Sequence, residues 1–285
     1  MASSWEDIAD EVVPRGARPG GLATGAGRGK KLSAARVVAC PPCATSASLD
    51  EALSGTEREC PQCGPYYHIK RPVSAFDAGF ATLSARLRSA LKKARFTALH
   101  DSKPDDLLFV DIETTGLSSS TPLFLIGTLG AGSVDEEPQM EFFLARDFDE
   151  ERAVLNAFHQ VARGKSLITF NGKSFDWPYI EGRSRRHRLR FEEPGAHLDL
   201  LHHARRVWKP GLPNCRLQTL ETHLCGRARE GDVAGSRIPD QYHKFVEIHG
   251  SSKRGAHLLA PIVYHNALDI LTMAELVCLD GESGP

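Results

Sequence analysis

Three short stretches of the chain hold acidic residues where carboxylates could act on a substrate. Asp111 and Glu113 lie in DIETTG at 111–116, directly after the apolar run Leu107–Val110. Residues two apart on a strand face the same side, so both carboxylates project together. Like charges that close repel one another unless a cation lies between them. Hard divalent ions such as Mg2+ or Mn2+ take oxygen ligands of this kind. A second stretch, FNGKSFD at 170–176, reads as a strand end, a glycine turn and an Asp at a helix start. The third, YHNALD at 264–269, places His265 four residues before Asp269. Four helical residues turn through ~400°, so those two side chains share a face. Taken singly, each stretch also reads as something plain: a solvated strand exit, a helix cap, a surface ion pair.

Four of the seven cysteines are spaced for a different chemistry. Cys40, Cys43, Cys60 and Cys63 form C-x2-C-x16-C-x2-C, a spacing that lets two knuckles bring four thiolates to one ion. The expectation is a structural zinc ribbon, with rubredoxin-like iron as the other metal. A module of this size buries little core, so the ion would supply its folding free energy. Cys215, Cys225 and Cys278 are scattered and read as small buried residues.

The elements that must position these groups follow from periodicity. Leu107–Ile112, Phe124–Leu129, Met140–Leu144 and Leu167–Phe170 are strand-length apolar or β-rich runs, and His197–Leu201 is a shorter one. Helical spacing covers Phe148–Val161, Asp176–Arg190, Leu217–Leu224 and Ile262–Leu279. Three strands followed by alternating helix and strand imply an α/β fold with a mixed sheet and helices on both faces. Upstream, Phe76, Phe80, Leu83, Leu87, Leu91 and Ala94 form one stripe at helical spacing, with Arg86, Arg88, Lys92, Lys93 and Arg95 mostly off it. Four segments result: a basic Gly-rich tail without order (1–38), the zinc ribbon (39–72), a basic amphipathic connecting helix (73–103) and the acidic module (104–280).

Net charge is −1 over 285 residues, which by itself points to no partner. The distribution is uneven: residues 1–103 carry 15 Lys/Arg against 10 Asp/Glu, and the remainder 20 against 26. A basic front beside an acidic back suits two modules with different tasks. The most apolar stretch, Thr121 to Val134, is short and interrupted by glycine, so no apolar run is expected to approach the ~18–20 residues of a membrane span. The first residues, MASSWEDIADEV, lack the apolar core of a secretory signal. The expectation is a cytoplasmic protein with no membrane partner.

In this order, the acidic stretches resemble the DEDD exonucleases of the DnaQ-like branch of the ribonuclease H-like superfamily. A closer likeness is to the YprB-like ribonuclease H-like proteins, carried by FNGKSFD, HLDLLHHARRVW (197–208), CRLQTLE (215–221), GSRIPDQY (235–242) and HNALDIL (265–271). The resemblance covers about residues 104–280 and implies a mixed five-stranded sheet with the carboxylates gathered on one side. It implies a two-metal 3′–5′ exonuclease acting on DNA or RNA. Asp111 would bridge both Mg2+ or Mn2+ ions, Glu113 and Asp269 would complete one site, and Asp176 would help hold the other.

The family carries either Tyr four residues before the last Asp or His five before it. Here His265 and Tyr264 occupy those positions with the types exchanged. With Pro261 suited to a first helical turn, Tyr264 is rotated ~140° from Asp269, leaving His265 as the candidate general base. Arg183, Arg185 and Arg186, in a run of five basic residues beside the second motif, are expected to contact substrate phosphates, with the basic front module adding grip. The N-terminal tail could serve a protein partner. The rival reading is a non-catalytic nucleic-acid-binding or adaptor protein that uses the zinc ribbon, with the ribonuclease H-like fold as scaffold.

Overall fold

The protein is described by a computed structural model covering residues 36–91, 96–133, 136–252 and 254–282. Most of the basic tail, and Lys92, Lys93, Ala94 and Arg95, lie outside the described residues. The elements run β1 (Arg36–Ala39), α1 (Leu49–Leu53), β2 (Thr56–Cys60), β3 (Gly64–Pro72), α2 (Leu83–Leu91), β4 (Leu107–Thr114), β5 (Leu123–Gly130), β6 (Gln139–Leu144), α3 (Glu151–Ala162), β7 (Ser166–Thr169), α4 (Asp176–Arg186), β8 (His197–Asp199), α5 (Leu200–Val207), α6 (Leu217–Leu220), β9 (Arg227–Glu230), α7 (Ile238–Ser252) and α8 (Ala256–Glu282).

Leu107 to Val110 are all buried, the mark of a strand covered on both faces. β4 accordingly lies inside the main sheet, antiparallel to β5 on one side and parallel to β7 on the other. The strand order β6-β5-β4-β7-β8 is the mixed five-stranded sheet expected from the sequence. It is extended by two more strands. The β2–β3 hairpin adds to its edge through β3, antiparallel to β6 from Tyr67↔Leu144 to Pro72↔Gln139. The sheet therefore has seven strands, in the order β2-β3-β6-β5-β4-β7-β8. Helix α3 packs against β3, β5 and β6, and α8 lies across β4 and β5.

Two upstream expectations are corrected. Residues 39–72 do not stand apart: Leu49, Leu53, Tyr67 and Ile69 share one core with Phe109 and Leu268, because β3 is hydrogen-bonded into the main sheet. β1 pairs in parallel with β9, Val38 opposite Arg229. Phe76, Phe80, Leu83 and Leu87 of the stripe are buried as their spacing demands, but the stripe is not one helix. Short 3-10 turns at Val73–Ala75, Ala78–Phe80 and Thr97–Leu99 flank α2. Asp77 caps the second turn by accepting from the Gly79 N–H, restarting the chain where a continuous helix would have run through. On α2, Arg88 donates to the Gly132 carbonyl at 3.0 Å and pairs with Asp105, so it is not free to meet phosphate.

Helix α8 begins six residues before Ile262, and Pro261 sits inside it. Ala256–Asp280 is long and apolar enough to cross a bilayer by length and composition, contrary to the sequence expectation. Polar His265, Asn266 and Asp269 interrupt its apolar run. Within the fold 83% of its apolar window is buried, as befits a core helix covered by protein on most sides.

Candidate functional site

Asp111 and Glu113 lie on β4 where full burial gives way to alternation: Ile112 and Thr114 are buried, and the two acids open toward a cleft. α8 brings His265, Asn266 and Asp269 over the same face. Asn266 Nδ2 donates to Asp111 Oδ2 at 2.7 Å and reaches Glu113 Oε1 at 3.4 Å. Asp176 is the first residue of α4, where the positive end of the helix dipole favours an anion. All four predicted carboxylates, with His265, line one cavity of about 200 Å³ whose remaining walls include Phe170, Phe175, Ile238 and Pro239. Residues separated by up to 158 positions in sequence thus meet at one point.

The turn that delivers Asp176 is fixed from below. Asn171 takes a left-handed φ of 65°. A Cβ at Gly172 would sit 2.3 Å from Thr169 Oγ1, so only glycine fits there. Asp199, at the end of β8, accepts from the N–H groups of Asn171 (2.8 Å), Lys173 (3.1 Å) and Leu201 (3.0 Å). Asp199 thereby ties the FNGKSFD turn to the start of α5. Spacing alone did not single it out, although it lies within the HLDLLHHARRVW stretch.

The sheet architecture and this cluster coincide with one family. The model of the RNase_H superfamily matches residues 108–279. The chain belongs to the RNase_H superfamily. The Bacillus subtilis (strain 168) protein named "Uncharacterized protein YprB" is 32% identical over 176 residues, 60% of this chain and 41% of YprB. The chain thus spans less than half the length of that relative. Among solved structures, the family B DNA polymerase of Pyrobaculum calidifontis overlaps 60% of this chain and 24% of its own, at 16% identity and a TM-score of 0.45. The zinc-ion-bound form of the E. coli ExoI–ssDNA complex overlaps 51% of this chain and 41% of its own, at 17% identity and a TM-score of 0.34.

This superfamily member holds its acids under strong mutual repulsion. Burial, then the charges of Asp269, Asp176 and Glu113, push Asp111 well above the carboxylate range. Burial raises Glu113 to about 8, aided by Asp269 and opposed by His265. Burial, with Asp199 and Asp269, raises Asp176 to about 7. Burial works against a charged His265, but Asp269, Asp232 and Glu113 win and raise it to about 9. The surrounding acids thus favour the protonated imidazole of His265. Its Nδ1 lies 2.9 Å from Asp232 Oδ1 and its Nε2 3.4 Å from Asp269 Oδ2. Tyr264 stays outside, its hydroxyl turned to the Phe76 carbonyl.

These shifts set a pH dependence. Glu113, Asp176 and His265 bind protons more tightly folded than unfolded, so stability from them is lost as pH rises. His159 and His197, both lowered to about 4 by burial, act oppositely, but only between about pH 4 and 6.5. From pH 7 to 9 the site groups are joined by thiols that burial raises, Cys225 and Cys40 among them, and these act in the same direction. The melting temperature of protein freed of divalent cations is expected to fall across that window, and to fall less with Mn2+ present. A flat profile from pH 7 to 9 in chelator would contradict this account.

Two groups of predicted site residues are placed elsewhere. The cysteines remain two separate pairs. Cys40 and Cys43 line a second cavity with Ile69, Arg71 and Tyr264. Cys60 lies opposite Gly64, at the other end of β3, and accepts from Asn156 Nδ2 at 3.0 Å. Five to seven strand residues, about 16–23 Å at 3.3 Å each, separate the two neighbourhoods. Core packing of β1 and the sheet extension through β3 pull the pairs apart, so the zinc-ribbon expectation is not met. Arg183 is 4% exposed. Its guanidinium is held by Glu151, Nε to Oε1 at 2.6 Å, and is spent inside the fold. Arg185 pairs with Glu181 at 3.1 Å. Arg185 and Arg186 lie about 14–15 Å along α4 from Asp176 and outside the cavity lining.

Spacing also missed Arg229 and Asp232. Arg229 donates to Asp269 Oδ1 at 2.6 Å, Glu221 Oε2 at 2.6 Å and Asp232 Oδ2 at 3.2 Å. Their sole sequence signal is RARE followed by an Asp at 227–232, which reads as an ordinary charged turn.

Proposed function

We propose that this chain is a metal-dependent nuclease that hydrolyses phosphodiester bonds of DNA or RNA and releases nucleotides from the 3′ end. What carries the reading is the convergence of Asp111, Glu113, Asp176 and Asp269 on one cavity. A fold has no stabilising use for four acids gathered in one cleft, three of which, Asp111, Glu113 and Asp176, are raised by burial and by neighbouring charge. Their oxygen-only chemistry fits hard divalent cations. Asp111, Glu113, Asp176 and Asp269 would hold a pair of Mg2+ or Mn2+ ions, which supply Lewis-acid activation of water and stabilisation of the leaving oxygen.

The protein's own groups do the rest. Asn266 pins Asp111 and Glu113, and Asp199 pins the turn before Asp176, so the acids are oriented before substrate arrives. Phe170 and Phe175 offer faces on which a terminal base stacks. His265, its Nδ1 steadied by Asp232, would present Nε2 to accept a proton once the charge of the acids around it is offset.

The test uses end-labelled single- and double-stranded DNA and RNA with Mg2+, Mn2+ or chelator. The expected result is a ladder shortening from the 3′ end, abolished by chelator. Cation-independent binding without cleavage of any of the four substrates would favour the scaffold reading.

A further inference from the structure

Arg229 is buried among acids, and its placement bears on how cations enter the site. Both oxygens of Asp269 are already engaged. Oδ1 accepts from Arg229 Nη2 at 2.6 Å, and Oδ2 lies 3.4 Å from His265 Nε2. Asp111, Glu113 and Asp176 have no arginine bonded to them among the described residues. Arg229 is held from behind as well. Glu221 accepts from Arg229 Nε at 2.6 Å and from Arg227 Nε at 2.5 Å. Arg227, fully buried, bonds Thr272 and Glu275 on α8. β9 places the two arginines on one face, two residues apart. β1, which precedes the superfamily match, holds β9 in place.

We propose that Arg229 is a built-in counter-cation that competes with a divalent ion for Asp269, so that the ion sharing Asp269 binds more weakly than one held by the other acids. The inference rests on the nuclease reading for its purpose, but the competition itself is a property of ion binding.

Titration of the full-length, cation-free protein with Mn2+, followed by calorimetry and by the free-Mn2+ electron-spin signal, tests it without nucleic acid. Arg229→Met removes the competing charge, and the weaker Mn2+ site is expected to tighten by at least about tenfold. Arg229→Lys, which keeps the charge, is expected to stay near the wild-type affinity. Because Arg229→Met leaves Glu221 with Arg227 as its remaining partner, Arg229→Met/Glu221→Gln is measured beside it, and the same tightening is expected in that charge-balanced pair. Adding Asp269→Asn should cancel the gain. Unchanged or weaker Mn2+ binding in both Met variants, or a gain that survives Asp269→Asn, overturns the proposal. Loss of the proposed 3′ ladder with the Mn2+ pattern intact would instead count against the nuclease reading alone.

Discussion

Asp111→Asn is expected to abolish cation-dependent hydrolysis, by about 10³-fold or more, and at the same time to stabilise the cation-free protein. The two effects have one cause. Asp111 lies among Asp269, Asp176 and Glu113, and burial together with their charges pushes its pKa well up. An amide of the same shape removes that repulsion while still presenting an oxygen to Asn266 Nδ2. The melting temperature in chelator should therefore rise. For the wild type, cation at 100 times its Kd adds about 2.7 kcal/mol, roughly 5–10 °C for a domain of this size. In Asp111→Asn that cation-induced rise should largely vanish. Paired melts with and without Mn2+, alongside the ladder assay, read all three outcomes. A variant that keeps its activity, or that melts lower than wild type in chelator, would show that Asp111 serves the fold and not the cation.

The sequence made the acidic constellation legible because each acid stands at a position that periodicity can place. The i, i+2 pair sits at the end of an apolar strand, one Asp follows a glycine turn, and His265 and Asp269 lie one helical turn apart. Elements of the acidic module follow from the same logic, and β4, β5 and β6 each lie within a residue or two of the expected spans. What escaped was everything decided by a distant partner. Arg183 looked like a phosphate contact because a run of arginines looks alike whether exposed or buried. Only Glu151, 32 residues away, shows that it is spent inside the fold. The cysteine spacing suited a ribbon, but pairing of β3 with β6 is non-local and carries Cys60 away from Cys40. His265 illustrates the same limit. Its place on the helix beside Asp269 was readable, but Asp232 and Glu113, which also hold it protonated, are linked to it by no local pattern.

Gly127→Ala is expected to cost about 10²-fold in hydrolysis while lowering stability by only about 1–3 kcal/mol. Gly127 lies on β5 directly opposite Asp111. A Cβ there would meet Asn266 Oδ1 at 1.9 Å and Ile270 Cδ1 at 2.7 Å. Both are side-chain ends that can swing away, so the fold survives. The end that must move farthest, however, belongs to the residue that pins Asp111 and Glu113. Among the described residues, Asn266 Oδ1 has no hydrogen-bond partner. It is pressed against the glycine, so the amide's position is set by the absence of a side chain across the sheet. Asn266→Ala separates the two consequences. In the Gly127→Ala background it removes the closer of the two clashes, leaving that with Ile270, and the melting temperature should recover in large part. The rate should stay low, equal to that of Asn266→Ala alone, because both routes end in an unpinned Asp111. Rates that multiply across the double variant would mean that Gly127 and Asn266 act independently, and that the close approach of α8 to β5 has no part in orienting the acids.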